Sequence, residues 1–283
     1  MTAPERHVLL TARLAKGLSA RSACKLAGLS RAVATYALKQ PERDAVQLKA
    51  LRQAARKNPR YGYRRVAVKS GLGFGQAWRL WKQHDFRLAE QRRARKKEPA
   101  GSCERPHRAK FPGHVWTYDI LYDQLADGRL FKTLSVLDEF TRECHGILVA
   151  TSIRAVDVTR YLARLMRRHG APQFLRSDNG SEFTAQVVQA WLEPRHTGSA
   201  FIPPGQPWQN GFIESFHDKF RDECLEREWF QSLMEAQIMI EKWRKHYNTQ
   251  RPHSSLDYQT PAEFAAGCQK QGAESLTSPG HKK

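Results

Sequence analysis

Three acidic residues, Asp119, Asp178 and Glu214, lie in sequence contexts that suit metal-dependent chemistry. Asp119 is inside the apolar run Val115–Leu121, where a buried carboxylate is unfavourable unless a cation compensates its charge. Asp178 follows a short strand pattern, and strand ends are where open α/β sheets build their sites. Glu214 lies in a helix after a loop rich in glycine and proline. Carboxylates without a Cys/His cluster favour Mg²⁺ or Mn²⁺, and two such ions can promote phosphoryl transfer.

The helix that contains Glu214 divides into two faces. At about 100° per residue, an apolar stripe occupies one side and comprises Phe212, Phe216, Phe220 and Cys224. Glu214 and Arg221 lie within about 20° of each other on roughly the opposite side. We therefore expect Arg221 to contact a nucleic-acid phosphate, the alternative being an ion pair with Asp218. The alternative that these residues form an ordinary solvated helix face, without a function in binding, also remains at this point.

Several neighbouring residues have both a functional and a structural interpretation. Asn210 opens the glutamate helix as a phosphate contact or as a cap, and Trp208 in the preceding loop is a candidate DNA contact. Asp138 is the alternative candidate for the acidic residue of the first strand that we assign to Asp119. Turns, strand ends or ion pairs are the favoured interpretation for the other nearby acids, Asp123, Glu139 and Glu182. Structural or surface positions are favoured over a general-base role for the histidines, His114, His145, His217 and His253.

Strand and helix patterns alternate from residue 113 onward, which indicates an α/β fold. Three strand patterns come first, at 115–121, 130–137 and 146–150, with a hairpin turn at 126–128. The next patterns are a helix over 158–166, a strand at 173–176, a helix over 185–192, a strand at 200–202 and the glutamate helix. This order is that of the ribonuclease-H-like fold, which predicts a mixed five-stranded sheet with flanking helices.

The positive charge of the chain is concentrated in its first part. Of 283 residues, 47 are Lys or Arg and 28 are Asp or Glu, which gives a formal net charge of +19. Residues 1–110 alone contain 27 of the basic and 7 of the acidic side chains. Such an excess predicts a polyanionic partner. The pattern of a helix, a turn at Gly28 and a second helix capped by Ser30 indicates an all-α helix-turn-helix region. A plain helical hairpin gives the same pattern.

The cysteine pattern and hydropathy exclude several classes. Five widely spaced cysteines without a CxxC pair argue against disulfides and structural zinc. No apolar run reaches the ~18 to 20 residues that span a bilayer, and the N-terminus has no signal-peptide pattern. We therefore expect a cytoplasmic protein that does not engage a membrane.

The acidic triad and three longer motifs resemble one known family. Asp119, Asp178 and Glu214, with 35 residues between the last two, are similar to the DD(35)E signature of the retroviral-integrase and transposase superfamily. The motifs are SDNGSEF at 177–183, PPGQPWQNGFIESFHDKFRDEC at 203–224 and YNTQRPHSSLDYQTPAEF at 247–264. They resemble the second-frame (OrfB) transposase of the insertion-sequence-3 family. NPRYGYRR at 58–65 is similar to that family's N-terminal region.

The resemblance implies a domain organisation. We expect a helix-turn-helix region at 1–57, a basic helical DNA-binding region at 58–100, a linker at 101–112, a catalytic core at 113–230, a C-terminal helix and extension at 231–266 and a flexible tail at 267–283. Within the basic part, the expected DNA contacts are Arg31, Lys39, Arg64, Arg65, Arg92 and Arg93.

The resemblance also implies a reaction, in which Asp119, Asp178 and Glu214 are the catalytic and metal-binding residues for two Mg²⁺ or Mn²⁺ ions. The site would cleave a strand at an element end and transfer the exposed 3′-hydroxyl to another phosphodiester. Implied partners are the terminal inverted repeats, target DNA, a second copy of the chain in a dimer or higher oligomer, and an upstream-frame OrfA protein as fusion or complex. The implied location is the bacterial cytoplasm, with the nucleoid. A hydrolytic ribonuclease-H-like nuclease or resolvase, and a catalytically silent DNA-binding derivative, are the alternatives.

Overall fold

The computed structural model describes residues 3–34, 40–88, 108–177, 186–201 and 210–277. In the N-terminal part, the helices are α1 (Ala3–Ala15), α2 (Ala20–Ala27), α3 (Arg31–Ala34), α4 (Gln40–Lys57), α5 (Tyr63–Ser70) and α6 (Phe74–Gln83). The later elements are β1 (Val115–Gln124), β2 (Leu130–Asp138), β3 (Cys144–Ala150), α7 (Ala155–His169), β4 (Phe174–Ser177), α8 (Gln186–Leu192), β5 (Gly198–Phe201), α9 (Gly211–Glu223), α10 (Leu233–Thr249) and α11 (Pro261–Thr277).

Strand β1 lies at the centre of a five-stranded sheet with the order β3-β2-β1-β4-β5. It pairs antiparallel with β2, with Asp119 opposite Ser135, and parallel with β4, with Thr117 opposite Arg176. The hairpin between β1 and β2 turns at Gly128, which adopts a φ of +84° that glycine tolerates best. Three antiparallel strands followed by parallel ones confirm the predicted ribonuclease-H-like α/β fold.

The two faces of the sheet pack on different helices. Alternate residues of a strand point to opposite faces, and Trp116 and Tyr118 enter an apolar cluster with residues of α7 and α8. Leu121 enters a second cluster with residues of α9 and α10. Thr117 and Asp119 share the parity of Leu121, so their side chains lie on the face that α9 covers.

Helices α9 and α10 complete this second cluster through apolar stripes. On α9, Phe216 and Phe220 are buried as the periodicity predicts, together with Ile213. On α10, Ala236, Ile240, Trp243 and Tyr247 are the buried residues of the same cluster. Full burial of each large apolar side chain contributes about 1.5–3 kcal/mol, so α9 is held firmly in its rotation against the sheet.

The first three helices follow the predicted helix-turn-helix order. Ser19 caps α2, since its side chain accepts a hydrogen bond from the amide of Ser22, and Gly28 ends the helix with a φ of +64°. Helix α3 then begins at Arg31, which is exposed. A small apolar cluster around Leu10, Ala23 and Cys24 joins α1 to α2. DNA binding by this part stays a prediction, and Lys39 lies outside the described residues.

Helices α4, α5 and α6 form a separate apolar cluster and dock on the part that contains the sheet. Leu51 of α4 and Tyr61 belong to the same cluster, although they stand on either side of the predicted boundary at 57. The Tyr61 hydroxyl lies 3.0 Å from Nε2 of His246 on α10, and Lys69 donates a hydrogen bond to the Gln250 side chain. The predicted domain limits stay a prediction, but these contacts join the basic helices to the core.

Within the described ranges, no helix is both long and apolar enough to cross a bilayer.

Candidate active site

Asp119 lies on the face of β1 that points towards α9, and its side chain is 23% exposed. The backbone amide of Ile120 donates a hydrogen bond of 2.7 Å to Oδ1 of Asp119. The carboxylate is therefore held in one orientation while part of its surface stays open to solvent. A partly open, oriented carboxylate on a central strand is a suitable ligand for a hard cation.

Glu214 lies in the first turn of α9 and is partly exposed. Its neighbour Ile213 is fully buried in the second cluster, and this contact fixes the rotation that leaves Glu214 at the surface. Phe216 and Phe220 are buried as predicted, whereas Phe212 is only partly buried and Ile213 and His217 are buried instead. The buried stripe therefore lies nearer to Glu214 than the sequence predicted.

Two side-chain contacts hold α9 against β1 beside these acids. The Thr117 hydroxyl donates a hydrogen bond of 3.1 Å to Oδ1 of Asn210, just before α9 begins. On the next turn of α9, Nδ1 of His217 lies 3.6 Å from Oδ2 of Asp119. The strand that carries the first acid and the helix that carries the third are therefore in direct contact.

The second acid, Asp178, lies outside the described residues. Strand β4 ends at Ser177, directly before it. Of the predicted DNA contacts, Trp208, Lys39, Arg92 and Arg93 also lie outside the described residues.

Asn210 is buried rather than presented to solvent. Its side-chain oxygen is occupied by Thr117, and it makes no side-chain cap to α9. This placement does not fit the DNA contact that the sequence analysis expected of it. The reason is that the Asn210 side chain links β1 to the start of α9 through its hydrogen bond with Thr117.

Arg221 is exposed on α9, two turns beyond Glu214. Burial, with a smaller effect of the Arg221 charge, lowers the pKa of His217 to about 4. Burial raises the pKa of Asp123, and the Arg221 charge opposes this shift. His217 is therefore neutral at pH 7, and Arg221 places a positive charge near the edge that carries Asp119.

Asp138, the alternative candidate to Asp119, has a structural role. It is 2% exposed and accepts hydrogen bonds from the backbone amides of Gly113 at 2.6 Å, Phe140 at 2.7 Å and Thr141 at 2.9 Å. Three backbone donors occupy its oxygens, so the carboxylate closes the turn after β2. The adjacent Glu139 forms a buried ion pair of 2.7 Å with Arg176 of β4.

The donor set around Asp119 suits magnesium better than zinc. Asp119 and Glu214 offer oxygen ligands to a cation. The described residues, which do not include Asp178, contain no group of three or more His, Cys, Asp or Glu side chains that could hold a metal ion. The residues that are described fit the oxygen ligation that Mg²⁺ and Mn²⁺ prefer.

Comparison with known families agrees with this arrangement. Two family models, both described as an integrase core domain, match residues 109–207 and 197–261. The "Insertion element IS476 uncharacterized 39.2 kDa protein" of Xanthomonas euvesicatoria is 38% identical over 262 residues, covering 90% of this chain and 75% of that protein. This chain belongs to the insertion-sequence family of DDE transposases. It is thus a DNA-processing enzyme of the transposase and integrase class.

Two further relatives of this transposase are also proteins of insertion elements. The "Insertion element IS407 uncharacterized 31.7 kDa protein" of Burkholderia multivorans is 38% identical over 256 residues, covering 88% of the transposase and 91% of that protein. The "Transposase for insertion sequence element IS904" of Lactococcus lactis is 29% identical over 160 residues, covering 56% of the transposase and 63% of that protein.

Solved structures with a related fold are more distant. The catalytic core domain of HTLV-2 integrase, in complex with magnesium, is 16% identical with a TM-score of 0.42, covering 56% of the transposase and 99% of that chain. The simian T-cell lymphotropic virus intasome is 15% identical with a TM-score of 0.47, covering 83% of the transposase and 76% of that chain. We base the fold assignment on the strand order and the family models.

The contact of His217 with Asp119 was not predicted from the sequence. His217 was expected at a structural or surface position, and the structure buries it against Asp119, with Nε2 lacking a hydrogen-bond partner among the described residues. One signal was present, since His217 lies three residues after Glu214 and such pairs are neighbours on a helix.

Proposed function

We propose that the transposase cleaves one DNA strand at each end of its element and joins the exposed 3′-hydroxyl to another phosphodiester. Asp119, Asp178 and Glu214 serve as the catalytic and metal-binding residues. The observation that carries this proposal is the contact between β1 and α9, where the Thr117–Asn210 hydrogen bond and the His217–Asp119 contact join the strand of Asp119 to the helix of Glu214.

The register of the sheet supports the inclusion of Asp178. Val115 lies opposite Phe174 and Thr117 opposite Arg176 in the parallel pair of β1 and β4. The same register, extended by two residues, would set position 178 opposite Asp119. The proposal therefore requires the chain after β4 to run parallel to β1 for two more residues. It does not require these residues to form regular strand hydrogen bonds.

Divalent metal fits the proposed site, with Asp119, Asp178 and Glu214 as its ligands. Two bound Mg²⁺ or Mn²⁺ ions would activate the attacking oxygen and stabilise the leaving oxygen of an in-line displacement. The chain's own part is to hold the carboxylates in place through the Ile120 amide and the packing of Ile213. Positioning and electrostatic stabilisation then supply the catalysis.

DNA is the proposed substrate and partner. Arg221 is exposed on α9 two turns beyond Glu214, and the exposed Arg31 of α3 and Arg64 of α5 are further proposed contacts. Lys39, Arg92, Arg93 and Trp208 complete the set of proposed contacts. Two ends per element favour a dimer or higher oligomer. Fusion to an upstream-frame OrfA protein, and a nucleoid location, stay predictions of the resemblance.

Strand joining on pre-nicked end DNA tests the proposal. The wild-type chain, Asp119→Asn, Asp178→Asn and Glu214→Gln are each incubated with Mn²⁺ and a labelled duplex that carries the terminal repeat of the element and a free 3′-hydroxyl. We expect joined products from wild type and a loss of at least about a thousandfold in each variant. Asp127→Asn is the matched control, because Asp127 lies in the exposed hairpin turn and pairs with Arg129.

The same assay separates the proposal from its alternatives. A hydrolytic nuclease or resolvase would yield cleaved but never joined strands, and a silent derivative would bind the duplex without either product. DNA affinity of the three variants is measured in parallel and should equal that of wild type. Strand joining by Asp119→Asn or Glu214→Gln at the wild-type rate would refute the assignment of these residues.

A further inference from the structure

We propose that a cavity on the flank of α9 away from Glu214 is a binding site for a DNA phosphate group. The cavity measures about 310 Å³ and lies between α5, the turn after β2, α9 and the segment that follows α10. The inference rests on the proposed function only for the identity of its ligand, because DNA supplies the phosphate.

Four cationic side chains from four separate parts of the chain line this cavity. Arg65 comes from α5, Arg142 from the turn between β2 and β3, Lys219 from α9 and Arg251 from the segment after α10. Hydroxyl groups of Ser215, Ser254 and Ser255 complete the polar lining. Arginine and hydroxyl donors together are a typical donor set for a phosphate.

The cavity retains positive charge from Arg65 and Lys219. Glu223 neutralises Arg251 through a buried ion pair of 2.6 Å. Among the residues that the structure describes, no carboxylate lies within 4.0 Å of the charged nitrogens of Arg65 or Lys219. The Arg142 guanidinium stacks on the Phe212 ring, with its central carbon 3.8 Å from the ring centre, and this contact holds it at the wall.

The lowered pKa of His253 reflects the proximity of these positive charges. Burial is the main cause that lowers its pKa to about 3, and the charges of Arg251, Arg65, Arg142 and Lys219 all act in the same direction. His253 is therefore neutral, and its Nε2 lies 3.4 Å from Nη1 of Arg251. A site that disfavours another positive charge favours an anion for the same electrostatic reason.

The position of the cavity relates it to the proposed active site. Ser215 and Lys219 lie on α9 within about two turns of Glu214, at about 7.5 Å or less along the helix axis. Arg65 and Ser254 also line a neighbouring shallow pocket with Arg64, Tyr63 and Tyr258. A DNA backbone that enters the cavity can thus continue along α5, which connects the basic helices with the core.

Salt-dependent DNA binding tests this site. Affinity for a duplex with the terminal repeat is measured between about 50 and 200 mM salt for wild type, Lys219→Gln and the double variant Arg65→Gln/Lys219→Gln. Loss of one phosphate contact should reduce the log–log slope by about 0.9 and weaken binding on the order of tenfold. Arg167→Gln, which removes an exposed charge from α7 on the opposite face of the sheet, is the matched control.

Two further measurements control for misfolding of the variants and identify the source of the phosphate. Lys219→Arg should restore the slope, because it returns the charge. Duplexes with a 5′-phosphate or a 5′-hydroxyl separate the two sources of phosphate: an effect on both identifies an internal phosphodiester, and an effect confined to the 5′-phosphate identifies a strand end. Wild-type slopes for the double variant on both duplexes would overturn the proposal. Strand joining by Asp119→Asn would instead overturn the proposed function, and the cavity would still be judged by the slope.

Discussion

Arg251 and Glu223 form a two-point ion pair that is almost completely shielded from water. Nε of Arg251 lies 2.7 Å from Oε2 of Glu223, and Nη2 lies 2.6 Å from Oε1, with side-chain exposures of 1% and 7%. The guanidinium carbon lies 5.9 Å from the centre of the Tyr61 ring and 5.7 Å from that of Tyr247. The pair therefore sits at the junction between the basic helices and the catalytic part.

Glu223→Gln should destabilise the protein strongly. The change leaves the Arg251 charge buried without its counter-ion, and removal of one partner of such a pair costs about 3–5 kcal/mol. The free energy of unfolding in urea measures the loss. Arg129→Gln is the control, because its pair with Asp127 is exposed and is worth at most about 1 kcal/mol. Equal losses in the two variants would contradict the role assigned to burial.

His217→Gln should slow strand joining and leave DNA affinity unchanged. His217 contacts Asp119, the proposed metal ligand, from the adjacent turn of α9. Loss of a residue that orients a metal ligand typically reduces activity by about 10- to 100-fold. Joining rates on pre-nicked DNA, together with binding of the same duplex, measure the two effects. The matched control is His84→Gln at the exposed end of α6. A wild-type joining rate in His217→Gln would show that Asp119 is oriented without this contact.

Gly146→Ala should destabilise the packing of β3 against α7. A Cβ atom at Gly146 would collide with the Tyr161 hydroxyl and approach Cδ2 of Leu165 to 3.1 Å. Such overpacking costs about 1–3 kcal/mol, and Tyr161→Phe in the same chain should recover part of it by removing the hydroxyl. Thermal unfolding of the single and double variants tests both statements.

Gly75→Ala provides the comparison for this substitution. Nothing lies within 4 Å of a Cβ atom at Gly75, the second residue of α6, so the substitution should cause no loss of stability. A loss of stability at Gly75, or none at Gly146, would count against the packing described.

His145→Phe should weaken the dependence of stability on pH. His145 lies between the rings of Trp116 and His169, at 4.3 and 4.2 Å, and burial is the main cause that lowers its pKa to about 3. The unfolded chain binds a proton near pH 6.5, so folding loses stability as the pH falls below that value, by up to about 1.4 kcal/mol per pH unit from this residue.

Unfolding free energies of wild type and His145→Phe at about pH 7 and pH 5 test this expectation. The variant should lose less stability between the two conditions. A residual loss should remain, because burial also lowers the pKa of His217 and of His253. An unchanged difference between the two pH values would mean that His145 is accessible to protons in the folded protein.

The sequence predicted those features that depend on local pattern. The apolar run at 115–121 placed Asp119 in a strand, and the 3.6-residue period of α9 predicted the burial of Phe216 and Phe220. Both are confirmed in the structure.

Features that depend on long-range contacts could not be predicted from the sequence. The roles of Asp138 and Asp119 differ only because three backbone amides surround Asp138 in the fold. The pairing of Glu223 with Arg251 joins two residues of ordinary surface type, and nothing in their local sequence indicates burial. The exposed appearance of Asn210 in a polar loop gave no sign of its bond to Thr117.

The contacts of Tyr61 with His246, and of Arg65 with the cavity, make the basic helices a wall of the core. A fragment that began at residue 108 would expose the Arg251–Glu223 pair on the side that Tyr61 covers and would remove one cation of the cavity. Separating the two parts would therefore weaken stability and DNA capture together, so that the helices and the sheet are expected to behave as one mechanical unit when the enzyme engages its substrate.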